Sequence, residues 1–138
     1  MSYEFTMDKR VEFAETDMAG MVHFANFFRY MEMTEHSFFR QLGYSIHSRI
    51  DGVEYGWPRV HADCNYRNPV RFEETLRVHM FVRERRERSV DYVFIFRKVG
   101  DTSAAVIAKG NMTTVCATRD EATGQFRAVP IPPAIAEL

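Results

Sequence analysis

The 138-residue chain is 46% hydrophobic and 14% aromatic, with twelve Phe, enough for a packed core and too apolar for a disordered segment. Its 18 basic and 19 acidic residues leave a formal net charge of −1, so no global electrostatic case exists for a nucleic-acid or membrane-surface partner. The length fits a single domain over residues 1–138, and no apolar run approaches the ~18 residues of a membrane span.

The N-terminal MSYEFTMDKR lacks the basic-then-apolar pattern of a signal peptide. Strand-like alternation starts there at once, with Phe5, Met7, Val11 and Phe13 on one parity and Lys9 the exception. From Phe24 to Leu42 the period becomes helical, through Phe27, Phe28, Met31 and Phe38, and Gly43 suits the residue that ends a helix. Tyr30, Met33 and Phe39 widen the apolar surface past one stripe, which predicts a helix wrapped on several sides. Residues 44–56, with their Gly and Asp breakers, read as a connection.

Four strands are predicted next, over 57–66, 75–84, 89–99 and 103–118, with Asn68-Pro69 separating the first two. Short turns at Arg85–Arg88 and Gly100–Asp101 should fold the last three into an antiparallel meander. Cys64 and Cys116 lie within these strands, too far apart for a CxxC pair. They read as reduced, buried small hydrophobes of a cytoplasmic protein. His36, His61 and His79 show no metal-ligand spacing. The proline-limited tail AVPIPPAIAEL should end in a loop or short helix. One very apolar helix followed by long antiparallel strands defines an α+β fold, most economically a curled sheet around that helix.

Asp17, three residues before Gly20 and just ahead of the helix, carries two readings. From its spacing it is a turn or capping residue, a role that Asp favours, and the resemblance described next adds the reading of a carboxylate aimed at a substrate that the helix N-terminus polarises.

The segments VEFAETDMAGMVHFANFFRYME, NYRNPVRFEETLRV, RRERSVDYVF and AVPIPP resemble the 4-hydroxybenzoyl-CoA thioesterase family of hotdog-fold acyl-CoA thioesterases, over nearly the whole chain. The resemblance implies hydrolysis of an acyl-CoA at a site between protomers of a homodimer, often paired into a homotetramer. No cofactor is implied beyond the coenzyme A of the substrate. It places catalysis on Asp17, a backbone N–H oxyanion donor at Phe24, and a close turn at Gly20. His23 falls where the family often has an aromatic wall residue, with a general base as the other reading. Asn26 and Glu32 match polar positions that either touch the acyl group or serve the backbone. Arg86 and Arg88, beside Arg85 and interrupted by Glu87, match residues that meet coenzyme A phosphates, although a solvated hairpin with internal ion pairs has similar weight. The acyl pocket should draw on Phe24, Phe27, Phe28, Tyr30 or Trp57, for an aromatic or a short to medium aliphatic group. A non-catalytic acyl-CoA or acyl-carrier binding module would keep the arginines but has no need for Asp17.

Overall fold

The computed structural model describes residues 3–136. In chain order the elements are β1 (Tyr3–Arg10), a 3-10 turn (Phe13–Glu15), α1 (Asn26–Gln41), β2 (Ser48–Ile50), β3 (Val53–Gly56) and β4 (Arg59–Tyr66). Then follow β5 (Thr75–Arg85), β6 (Ser89–Lys98), β7 (Val106–Val115), β8 (Ala117–Arg119), β9 (Phe126–Ala128) and α2 (Pro133–Ala136). Five strands form one antiparallel sheet in the order β1-β5-β6-β7-β4. A smaller sheet, β2-β3-β8-β9, extends it where the chain turns from β7 into β8.

The pattern of alternation decides which face of the large sheet is covered. Leu76, Val78 and Met80 of β5, and Val90, Tyr92, Phe94 and Phe96 of β6, point to one side and are buried. Helix α1 lies across that side with Phe27, Tyr30, Met31, Thr34, Phe38 and Phe39 turned inward. Aromatic edges lock the two layers. The Phe27 and Phe96 ring centroids are 5.2 Å apart at 77°, and Phe38 meets Tyr3 at 5.2 Å. On β7, Gly110 sits under Met31, where a Cβ would come within 2.4 Å of the Met31 methyl, so its bare backbone lets the helix settle close. This is the hotdog arrangement that the sequence resemblance implies.

Two expectations need correction. The helix begins at Asn26 rather than Phe24, and of the residues expected to widen its apolar surface Tyr30 and Phe39 are buried while Met33 (40% exposed) stays at the surface, as do Phe28 (36%) and Phe24 (63%), which precedes the helix. The segment 44–56 is no plain connection. It folds into the β2–β3 hairpin through a two-residue turn at Asp51 and Gly52, both at positive φ. Both cysteines are free, with Cys116 buried and Cys64 half-buried, and burial pushes each thiol up to about 11. No helix among the described residues is long and apolar enough to cross a membrane.

Candidate active site

The segment between the 3-10 turn and α1 is built around Asp17. Its N–H donates to the Met21 carbonyl at 2.8 Å, and its own carbonyl accepts from Gly20 N–H at 3.0 Å. Gly20 takes φ +79°, a left-handed conformation that other side chains pay to adopt, so the tight return at this point needs glycine. The Asp17 carboxylate closes the loop from inside: Oδ1 accepts the Ala19 N–H at 2.9 Å and the Met21 N–H at 3.2 Å. Oδ2 takes no part in these bonds. The side chain therefore serves as a turn-forming group and still presents a second oxygen, so the two sequence readings of Asp17 are compatible.

The chain after Met21 is tied down on two sides. Val22 N–H donates to Val70 O at 2.8 Å, and Met21 pairs with Arg71, which docks the loop onto the stretch following β4. The Glu15 carbonyl accepts from both His23 N–H (2.9 Å) and Asn26 Nδ2 (2.8 Å), fixing the entry to α1. His23 stacks on Phe24 and accepts the Ala25 N–H on Nδ1 at 3.2 Å. The Phe24 carbonyl accepts from Tyr66 Oη at 3.0 Å. Among the described residues the Phe24 N–H has no acceptor, which leaves it available at the positive end of the helix.

Asp17, Met21, Val22, Phe24, Phe27 and Tyr66 line a cavity of about 390 Å³, completed by Arg67, Asn68, Pro69 and Val70. That volume falls at the lower end of small-ligand sites. Asp17 and the residues at the helix entrance thus border one mostly apolar space. The other expected residues are distributed differently. Asn26 and His23 serve the backbone, and Glu32 lies outside the cavity, 3.7 Å from Arg59. Of the expected pocket aromatics only Phe24 and Phe27 line this space. Tyr30 is core, and Trp57 borders a separate cavity beneath the C-terminal half of α1. At the β5–β6 hairpin Arg86 is committed to acids, to Asp91 at 2.7 and 3.0 Å and to Glu84 at 2.8 Å. Arg88 is exposed and joins none of these pairs. Tyr66, Arg67 and Asn68 were missed as site residues, although their NYRNP run belongs to the segments that carry the resemblance.

A curled antiparallel sheet packed on one long helix, with Asp17 and Phe24 bordering one cavity, is an architecture of the hotdog type. The chain belongs to the Thioesterase-like superfamily, whose family model matches residues 11–138. It is 28% identical over 102 residues to the 1,4-dihydroxy-2-naphthoyl-CoA hydrolase of Prochlorococcus marinus strain NATL1A, covering 69% of this chain and 68% of that one. The solved gentisyl-coenzyme A thioesterase is 28% identical with a TM-score of 0.80, over 96% of this chain and 99% of the other. A 1,4-dihydroxy-2-naphthoyl-CoA thioesterase from Synechocystis, 23% identical, shares the fold at a TM-score of 0.83, over 99% and 98% of the two chains.

Proposed function

We propose that this protein hydrolyses an aromatic or a short- to medium-chain acyl-CoA to the free acid and CoA, with Asp17 as the reacting carboxylate. One observation carries the reading: Oδ1 of Asp17 is spent on two loop N–H groups, which fixes the carboxylate and leaves Oδ2 uncommitted, and Asp17 borders the same cavity as Phe24. The substrate carbonyl sits between them, its oxygen on the Phe24 N–H at the helix entrance. Charge that develops on that oxygen is stabilised by a donor already in place.

Attack forms a C–O bond at the carbonyl carbon, and collapse of the tetrahedral oxyanion breaks the C–S bond. CoA leaves as the thiolate and takes a proton from solvent. Where Oδ2 attacks directly, the product is a mixed anhydride that one water then cleaves. Where a water attacks, Asp17 takes its proton, and the acid forms in one step. The apolar walls Met21, Val22, Phe27 and Val70 accept the acyl body. The related proteins named for aryl-CoA substrates support the aromatic end of this range.

A second copy completes the site in this reading. Strand β4 is an edge of the large sheet, with Val60 62% exposed, and the uncovered Phe28 and Met33 lie on the helix flank. A panel of aryl- and alkanoyl-CoA esters, followed by thiol release, tests the proposal. Turnover of at least one ester is expected, and the absence of release from any of them counts against it.

A further inference from the structure

Arg67 was not singled out by its sequence context, yet it borders the same cavity as Asp17. It follows the last residue of β4, and its backbone is fixed: the Arg67 and Asn68 N–H groups both donate to Ile107 O, at 2.9 and 3.1 Å. The neighbouring polar side chains are already used. Tyr66 Oη donates to Phe24 O, and Asn68 Nδ2 donates to Val106 O at 2.7 Å. No ion pair engages the Arg67 guanidinium among the described residues, and it forms none with Asp17. The cavity is therefore bordered by an arginine with no ion pair among the described residues and by the Asp17 carboxylate, whose Oδ1 is taken by the Ala19 and Met21 N–H groups.

We infer that Arg67 is a specificity-determining residue that binds an anionic oxygen of the thioester substrate. The inference rests on the hydrolytic reading of this cavity. A guanidinium offers paired donors to a carboxylate, a phenolate or a phosphate, and it keeps its charge at any working pH. Arg67 is exposed at the rim of the cavity, so a substrate that supplies an anionic oxygen there gains a charge-assisted hydrogen bond that a neutral analogue lacks. The oxygen belongs either to the acyl group, which then carries an acidic substituent near the thioester, or to a phosphate of coenzyme A.

The test compares wild type, Arg67→Met and Arg67→Lys on matched thioesters that differ in one acidic group, such as succinyl against butyryl and 4-carboxybenzoyl against 4-methylbenzoyl. Each is supplied as the CoA ester and as the N-acetylcysteamine ester, which lacks the nucleotide. For an acyl oxygen, the acidic-to-neutral ratio of kcat/KM falls about tenfold or more in Arg67→Met on both carriers, a loss that Arg67→Lys partly restores. For a phosphate oxygen, kcat/KM falls on every CoA ester and on none of the truncated ones. Values within twofold of wild type on all substrates overturn the inference. A uniform loss across charged and neutral, CoA and truncated esters also overturns it, because that pattern reports structure rather than recognition. Asp17→Asn assayed on the same panel separates the two claims. An unchanged Arg67→Met in a protein that turns over the panel refutes the role of Arg67 alone, an active Asp17→Asn refutes Asp17 as the reacting carboxylate, and a wild type that releases thiol from no ester refutes the hydrolytic reading.

Discussion

Arg59 of β4 holds Glu35 of α1 by an ion pair between its Nη2 and Glu35 Oε1, and the acid is 0% exposed. Around it lie Glu32 and His36 on the helix and Tyr92 on β6. Burial pushes the Glu35 carboxyl up from its ordinary 4.5 to about 7, and Arg59 only partly opposes it. The folded protein therefore gives up this proton at a higher pH than the unfolded chain does.

The sign follows directly. The stabilisation from a protonated Glu35 is full below pH 4.5 and is lost as pH rises to about 7. Asp8 and Asp91, held below their ordinary 3.8 by hydrogen bonds from Arg77 and Arg86, act in the opposite sense and only in more acidic solution. Glu35→Gln should flatten the decline in unfolding free energy between pH 4.5 and 7, as read by urea titration at several pH values. Parallel curves for wild type and variant would contradict the account.

Arg88→Ala should raise KM for CoA esters while leaving kcat nearly unchanged, since a phosphate contact far from the carbonyl binds ground and transition states alike. Arg86→Ala should have the smaller effect, because its guanidinium is committed to Asp91 and Glu84. Steady-state kinetics on a CoA ester and its nucleotide-free counterpart check both, and equal losses on the two carriers would assign these residues to the hairpin structure.

Val60→Asp on the β4 edge should weaken self-association, because a strand edge that pairs with a second copy does not tolerate a new charge beside its apolar residues. Sedimentation should find wild type at least dimeric at micromolar concentration and the variant shifted toward monomer. A wild type that stays monomeric would rule out the shared site.

The helix and the meander were legible because their burial follows a local period: Phe27, Tyr30, Met31 and Phe38 repeat at helical spacing, and Tyr92, Phe94 and Phe96 alternate. The β2–β3 hairpin was not, although Asp51-Gly52 between Ile50 and Val53 is a two-residue hairpin signal. Its strands are three and four residues long, too short to show alternation. The Asp17–Gly20 spacing was readable, and the φ of Gly20 explains why. The tethers of His23 and Asn26 were not, because both converge on a backbone carbonyl, at Glu15, that no side-chain pattern announces. Arg67 reaches the neighbourhood of Asp17 through the Val22–Val70, Met21–Arg71 and Phe24–Tyr66 contacts, which join distant parts of the chain.

Asp17→Asn tests the central claim most directly. Asparagine retains an oxygen for the Ala19 and Met21 N–H groups and caps about as well as aspartate, so the loop should stand. It replaces Oδ2 by an amide nitrogen that neither attacks a thioester nor accepts a proton from water. The measurement is kcat of wild type and Asp17→Asn on one hydrolysed acyl-CoA, beside a thermal melt of each. The account predicts a Tm close to wild type and a loss in kcat of roughly 10²–10⁴ or more, the range that removal of a general base costs. A folded Asp17→Asn with near-wild-type kcat would contradict it.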